Sequence, residues 1–145
     1  KIIKLLKKGW KNFFKDPSII YDKKKQNIKL HFDMFHGHGK LDKAIDVMNG
    51  KDKNEFRDFV NKSTSFNPHI MFIAKPEILN NWFADLFAWL SNCEEIFGFE
   101  DLKGYETERL YAYLSERYLS FWFKKYSNFI EWPYIFIDTE KISNL

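Results

Sequence analysis

The stretch from Phe66 to Lys125 constrains the fold more than any other part of the chain. It opens with Phe66-Asn67-Pro68-His69-Ile70-Met71-Phe72-Ile73 and then carries apolar residues at three- and four-residue spacing. Leu79, Trp82, Phe83, Leu86, Leu90 and Cys93 form one stripe, which predicts an amphipathic helix running to about Phe97. Pro76 suits its first turn and Gly98 its stop. Leu110, Leu114, Tyr118, Phe121 and Trp122 form a second stripe, which predicts a helix from Tyr105 or Glu106 to about Lys125. Trp82 and Trp122 sit at core spacing on these helices. Ile70 to Ala74 is apolar and reads as a buried strand.

Elsewhere the pattern is shorter. Ile2, Ile3, Leu5, Leu6, Trp10, Phe13 and Phe14 face a row of lysines and predict a basic amphipathic helix over 1–16. Asp16-Pro17-Ser18 ends it. Ser18 to Tyr21 reads as a short strand, and Lys23 to Asn27 as a polar turn. Ile28 to Phe35 fits either an alternating strand or a helical turn. Leu41 to Met48, closed by Gly50, and Asp52 to Asn61 are predicted short helices. Pro133 to Ile137 reads as a last strand. The expected fold class is α/β, helix-rich with a small mixed sheet, in a single domain of 145 residues.

Composition narrows the function classes. Net charge is +3, with lysines crowded into the first 25 residues. Such an end favours anionic lipid or presents a solvated helix face. The lysines lack interleaved arginines and the aromatics sit at core spacing, which argues against nucleic-acid binding. One cysteine, Cys93, excludes an internal disulfide and points to a reduced, cytoplasmic setting. Its place on an apolar face predicts a buried structural thiol. No apolar run has the length of a membrane span. The chain begins at Lys1 rather than Met, and a piece of a longer protein is expected.

Three groups of residues can carry chemistry. His36-Gly37-His38-Gly39-Lys40 places two imidazoles between glycines, with Asp33 close by. Such a turn suits a metal, a phosphate or a sugar, or is a plain surface turn that contains histidine. It is no phosphate-binding Walker loop, because Leu41 follows Lys40. Two histidines do not define a metal site, and none is assigned. Arg109 and Glu116 lie two turns apart, so one helix face presents both, with Ala112 and Ser120 beside them. Arg109 can hold a phosphate, and Glu116 can bind sugar hydroxyls or act as a base. Small residues between them leave room for a ligand or a partner strand. His69, after Pro68, stands at the entrance of the predicted strand and can reach a cleft.

The ordered set of these pieces resembles the C-terminal half of the bacterial capsular-polysaccharide and lipopolysaccharide glycosyltransferases. The resemblance rests on Ser18-Ile19-Ile20-Tyr21, Lys23-Lys24-Lys25, Phe32 to His36 and Leu41-Asp42. It continues through Met71-Phe72-Ile73, Trp82 to Leu90 with Glu94, Tyr105 and Arg109, and Glu116-Arg117-Tyr118-Leu119. It covers about residues 18 to 137. Ile70 stands where the family usually has Asn, so an amide that could hold a sugar or the cleft backbone is missing. The resemblance implies the acceptor-side half of a GT-A-like enzyme. It implies Glu116 and His36 as catalytic residues, and Arg109, His38, Lys40, His69 and Asp33 as substrate-binding ones. A nucleotide sugar and a surface-glycan acceptor would be the partners, with peripheral contact at the inner face of the plasma membrane. Mn or Mg would be held by an N-terminal half, because no Asp-x-Asp occurs in this chain. The isolated chain is then expected to be inactive. The competing expectation is a non-catalytic binding or assembly module that meets membrane or a partner subunit.

Overall fold

A computed structural model describes residues 26–131. The basic helix expected over 1–16, the Ser18–Tyr21 and Pro133–Ile137 strands and the Lys23–Lys25 turn lie outside the described residues. Among the described residues six helices follow one another: α1 (Ile28–His36), α2 (Lys40–Asp46), α3 (Asp52–Lys62), α4 (Pro76–Phe97), α5 (Tyr105–Glu108) and α6 (Leu110–Tyr126). Among the described residues there is no strand. The α/β expectation, with its small mixed sheet, is therefore overturned by an all-helical arrangement.

One segment left open between strand and helix is helical, and one expected strand does not form. Ile28 to His36 is helical. Its N-terminus is set by Asn27, whose side chain accepts a hydrogen bond from the Leu30 N–H at 2.7 Å. Asn27 also donates to the Asn61 carbonyl, and the Ile28 N–H donates to the Ser63 carbonyl, so the end of α3 holds the start of α1. Ile28, Phe32 and His36 then stack at four-residue spacing on the buried face. The apparent alternation was a helix face interrupted by the buried Asp33 and Met34.

Ile70 to Ala74 lies outside any helix, but no strand pairs with it among the described residues. Side chains hold its approach instead. The Asn67 N–H donates to Ser120 Oγ at 2.8 Å, and the His69 N–H to Glu116 Oε1 at 3.3 Å. Phe72 packs on Phe123, while Met71 and Ile73 are exposed. Ser120 on the Glu116 face thus receives a backbone segment, though not the partner strand that the spacing allowed.

The core forms where α6 crosses α3 and α4. Phe56 of α3 meets Trp89, Tyr118 and Phe121 with ring centroids 5.3 to 5.6 Å apart. Trp82 is fully buried against Tyr118 and Trp122. α1 and α2 close the other side, packing on α3 and on each other. Phe83, placed on the apolar stripe of α4, is instead exposed and stacks on exposed Phe87.

The second long helix is interrupted at Arg109, which takes φ −94° and ψ 23°. The interruption is fixed from both ends. Gly104 N–H donates to the Glu108 carboxylate, and the Tyr111 hydroxyl donates to the Gly98 carbonyl at 2.6 Å.

Cys93 is fully buried, and burial pushes its thiol up to about 12. The native thiol should therefore resist iodoacetamide at neutral pH and react only as the chain unfolds. Fast labelling of the native protein, followed by mass spectrometry, would contradict this packing.

Candidate functional site around Arg117

Helix α6 carries Arg117 at a core position, one helical turn from Leu114 and beside Tyr118. Only 1% of its surface is exposed. The guanidinium gathers three distant parts of the chain. Its Nη1 donates to Glu116 Oε2 at 2.8 Å and to the Tyr113 carbonyl at 3.1 Å. Its Nη2 lies 3.2 Å from His31 Nδ1 and 3.2 Å from His36 Nε2, both on α1. Phe66, from the segment leading to residues 67–74, places its ring 4.3 Å from the guanidinium carbon. Nε of Arg117 is buried and has no hydrogen-bond partner.

This arrangement sets the protonation of both imidazoles. A guanidinium only donates, so the facing ring nitrogens must accept. His36 then carries its proton on Nδ1, which lies 3.3 Å from the Glu106 carbonyl. Its ring stacks on Tyr113 with centroids 3.7 Å apart. Burial, aided by the Arg117 charge, lowers the His31 imidazole to about 4. Burial lowers Arg117 itself to about 10, opposed by the Glu116 charge, so it stays cationic at neutral pH. One buried cation is thus held by one carboxylate and two neutral imidazoles.

Linkage follows from His31. The unfolded imidazole titrates near its ordinary 6.5, and the folded one near 4. Between these values the unfolded chain binds more protons. The contribution from His31 is complete above pH 6.5 and is lost as pH falls towards 4, by an amount on the order of a few kcal/mol. Denaturant unfolding at pH 7 and pH 5 should show the loss, and His31→Phe should reduce it. Equal pH dependence in the two proteins would exclude His31 as its source.

The turn after α1 is organised by Asp33. Its Oδ1 accepts the Gly39 N–H at 2.9 Å, and its Oδ2 accepts Lys29 Nζ at 3.0 Å. His38 Nδ1 lies 3.6 Å from the same Oδ2. Lys40 begins α2 and folds its stem back over Gly37, where a Cβ would meet Lys40 Cδ at 2.9 Å. Gly37 also has φ 116°, a backbone state that disfavours any side chain. Asp33, His38 and Lys40 therefore form one interlocked turn adjoining His36.

Glu116 is fixed from two sides. One oxygen is on Arg117 and the other accepts the His69 N–H. His69 adopts φ 68°, unusual for a residue with a side chain, and its ring is exposed. Arg109 stands apart at the α5–α6 junction. It is exposed, donates to the Tyr105 hydroxyl at 3.0 Å and lies 5.8 Å from the Tyr113 ring centre. The structure thus brings Glu116 and His36 onto one guanidinium, with the Asp33–His38–Lys40 turn next to His36 and His69 against Glu116.

His31 and Arg117 are the residues that sequence reasoning passed over. The signal was present: an arginine on the same stripe as Leu110, Leu114 and Phe121 is a core arginine and needs partners. Among the described residues, no group of three His, Cys, Asp or Glu side chains can hold a metal. No described helix is long and apolar enough to cross a membrane.

A cavity of about 500 Å³ lies elsewhere, between the Met48–Asp52 turn, α4 and α6. Neither Arg109 nor Glu116 lines it.

Comparison with curated proteins finds no match. Comparison with solved structures finds none either. The family model described as "Domain of unknown function (DUF4422)" matches residues 3–128, and the chain belongs to that family.

Proposed function

We propose that this chain forms part of a glycosyltransferase that moves a sugar from a nucleotide-sugar donor to a surface glycan in capsule or lipopolysaccharide biosynthesis. The observation that supports this most is convergence. The Phe32–His36 stretch, the segment leading to Met71-Phe72-Ile73 and the Glu116-Arg117 pair are far apart in sequence. They carry the resemblance to the capsule and lipopolysaccharide transferases, and they meet at one guanidinium. Glu116 reaches solvent more than its guanidinium partner does, with a side chain 16% exposed against 1% for Arg117. In this reading Glu116 takes the acceptor hydroxyl, and Arg117, His31 and His36 hold the carboxylate in place. Lys40 and Arg109 supply positive charge for a donor phosphate. The work would take place at the inner face of the membrane.

The test is isothermal titration of the complete gene product with a panel of nucleotide sugars, with and without Mn²⁺, followed by a product assay. Donor binding and transfer support the reading; absence of both with every donor rejects it. The 145-residue chain by itself is expected to bind donors weakly, because its sequence has no Asp-x-Asp pair to hold a metal on the diphosphate.

A second reading, a non-catalytic assembly module, draws on the apolar exposure of Met71, Ile73 and Phe87. Titration separates the two: an assembly module binds no nucleotide sugar.

A further inference from the structure

We propose that the cavity between the Met48–Asp52 turn, α4 and α6 binds a neutral saccharide. Its volume of about 500 Å³ falls in the range of small-molecule sites and suits a short saccharide rather than a bare ion.

The walls have the composition that sugars require. One face of α4 presents Asn81, Ala84, Asp85, Ala88 and Asn92, which recur every three or four residues on one side of the helix. The two alanines keep the floor open, and the amides and carboxylate above them match hydroxyl groups. Trp89 and Trp122 also line the cavity, each about 3% exposed, and both are locked. Trp122 donates its Nε1–H to Asp85 Oδ2 at 2.7 Å, and Trp89 donates its own to the Ala44 carbonyl at 2.7 Å. Asn92 donates to the Val47 carbonyl at 3.0 Å, which keeps its oxygen as an acceptor. Tyr126 completes the rim. Its hydroxyl bonds Asp52, and Lys51 sits 4.9 Å over its ring. The partly exposed Tyr126 ring beside fixed planar polar groups is what a sugar ring meets with its C–H face and its hydroxyls.

Charge selects the class. Asp52 and Asp85 line the cavity against Lys51 alone. The neighbouring Lys125 does not change the sign, because it is taken up by Asp52 and Glu55. A diphosphate would meet net negative charge, whereas a neutral saccharide would not. The cavity is thus suited to an acceptor glycan more than to a nucleotide donor. Its role as an acceptor site rests on the transferase reading above; the binding of a saccharide does not.

The experiment uses the 145-residue chain and nuclear magnetic resonance of its indole N–H groups. Lactose, maltotriose, chitobiose and uridine diphosphate are titrated separately to tens of millimolar. A neutral saccharide should shift the Trp89 and Trp122 signals saturably, and more than that of Trp82, which does not line the cavity. Asp85→Asn keeps an acceptor for Trp122 and removes charge, and Asn81→Ala removes one amide. Each should weaken binding about tenfold. Ala88→Trp fills an exposed site on the floor and should abolish binding with the thermal midpoint unchanged. If that variant unfolds, the other two still decide.

A response to uridine diphosphate without any saccharide response overturns the assignment, as does no response to any probe. Saccharide binding by a gene product that transfers no sugar would retain the site and reject the transferase.

Discussion

Replacing Arg117 by methionine is expected to lower stability by about 3–5 kcal/mol, the range for breaking a buried ion pair from one side. The stem of methionine fills most of the space that the arginine stem occupies, so lost volume contributes little. What remains is worse than a cavity. The Glu116 carboxylate loses its cation, and the accepting nitrogens of His31 and His36 face an apolar side chain. Buried polar groups left without partners each cost about 1–3 kcal/mol. Lysine should not restore the wild-type value. An ammonium lacks the planar fork that reaches Glu116 and both imidazoles together, and it desolvates at greater cost. Urea unfolding followed by circular dichroism measures both variants. A loss below about 0.5 kcal/mol for Arg117→Met would show that the guanidinium does not hold these elements together.

The same cluster shows what the sequence made legible and what it did not. α4 was readable almost to the residue because Pro76, Gly98 and the aromatic stripe agree. The short helices α2 and α3 were readable for the same reason, with Gly50 marking the turn between them. The stretch from Ile28 stayed open between strand and helix because a buried polar residue in a helix face imitates alternation. Asp33 is 1% exposed and pointed inward to hold the next turn, a role that no periodicity encodes. The Ile70–Ala74 strand failed for a different reason. Its apolar, β-prone composition was read correctly, but a strand needs a neighbour, and neighbours are a tertiary property. Of the candidate residues, His36 and Glu116 were singled out by residue type and spacing. Arg117 was visible as a charge on an apolar stripe, yet its partners come from 81 and 86 residues away. Contacts at that separation leave no local trace in the residues that make them.

Glu116→Gln carries the largest expected effect on activity. In the complete gene product, assayed for sugar transfer, it should lower kcat by about 10²–10⁴-fold, the usual contribution of a positioned general base. The substitution is a narrow one. Glutamine keeps an oxygen that can accept from the His69 N–H, so the loop at residues 67–69 should stay in place. Its amide cannot neutralise Arg117, so a stability loss of about 1–3 kcal/mol accompanies the change without unfolding the protein. The two effects can be separated. If Glu116 acts only by holding the loop, Glu116→Gln should leave kcat nearly unchanged, while Ser120→Ala, which removes the other loop contact, should lower it. If Glu116 takes the acceptor proton, kcat falls steeply with glutamine and hardly at all with Ser120→Ala. Donor affinity should be unaffected in both, since neither group faces the phosphate in the proposed arrangement. A Glu116→Gln protein that keeps full kcat would remove Glu116 from the chemistry and leave it as a structural partner of Arg117.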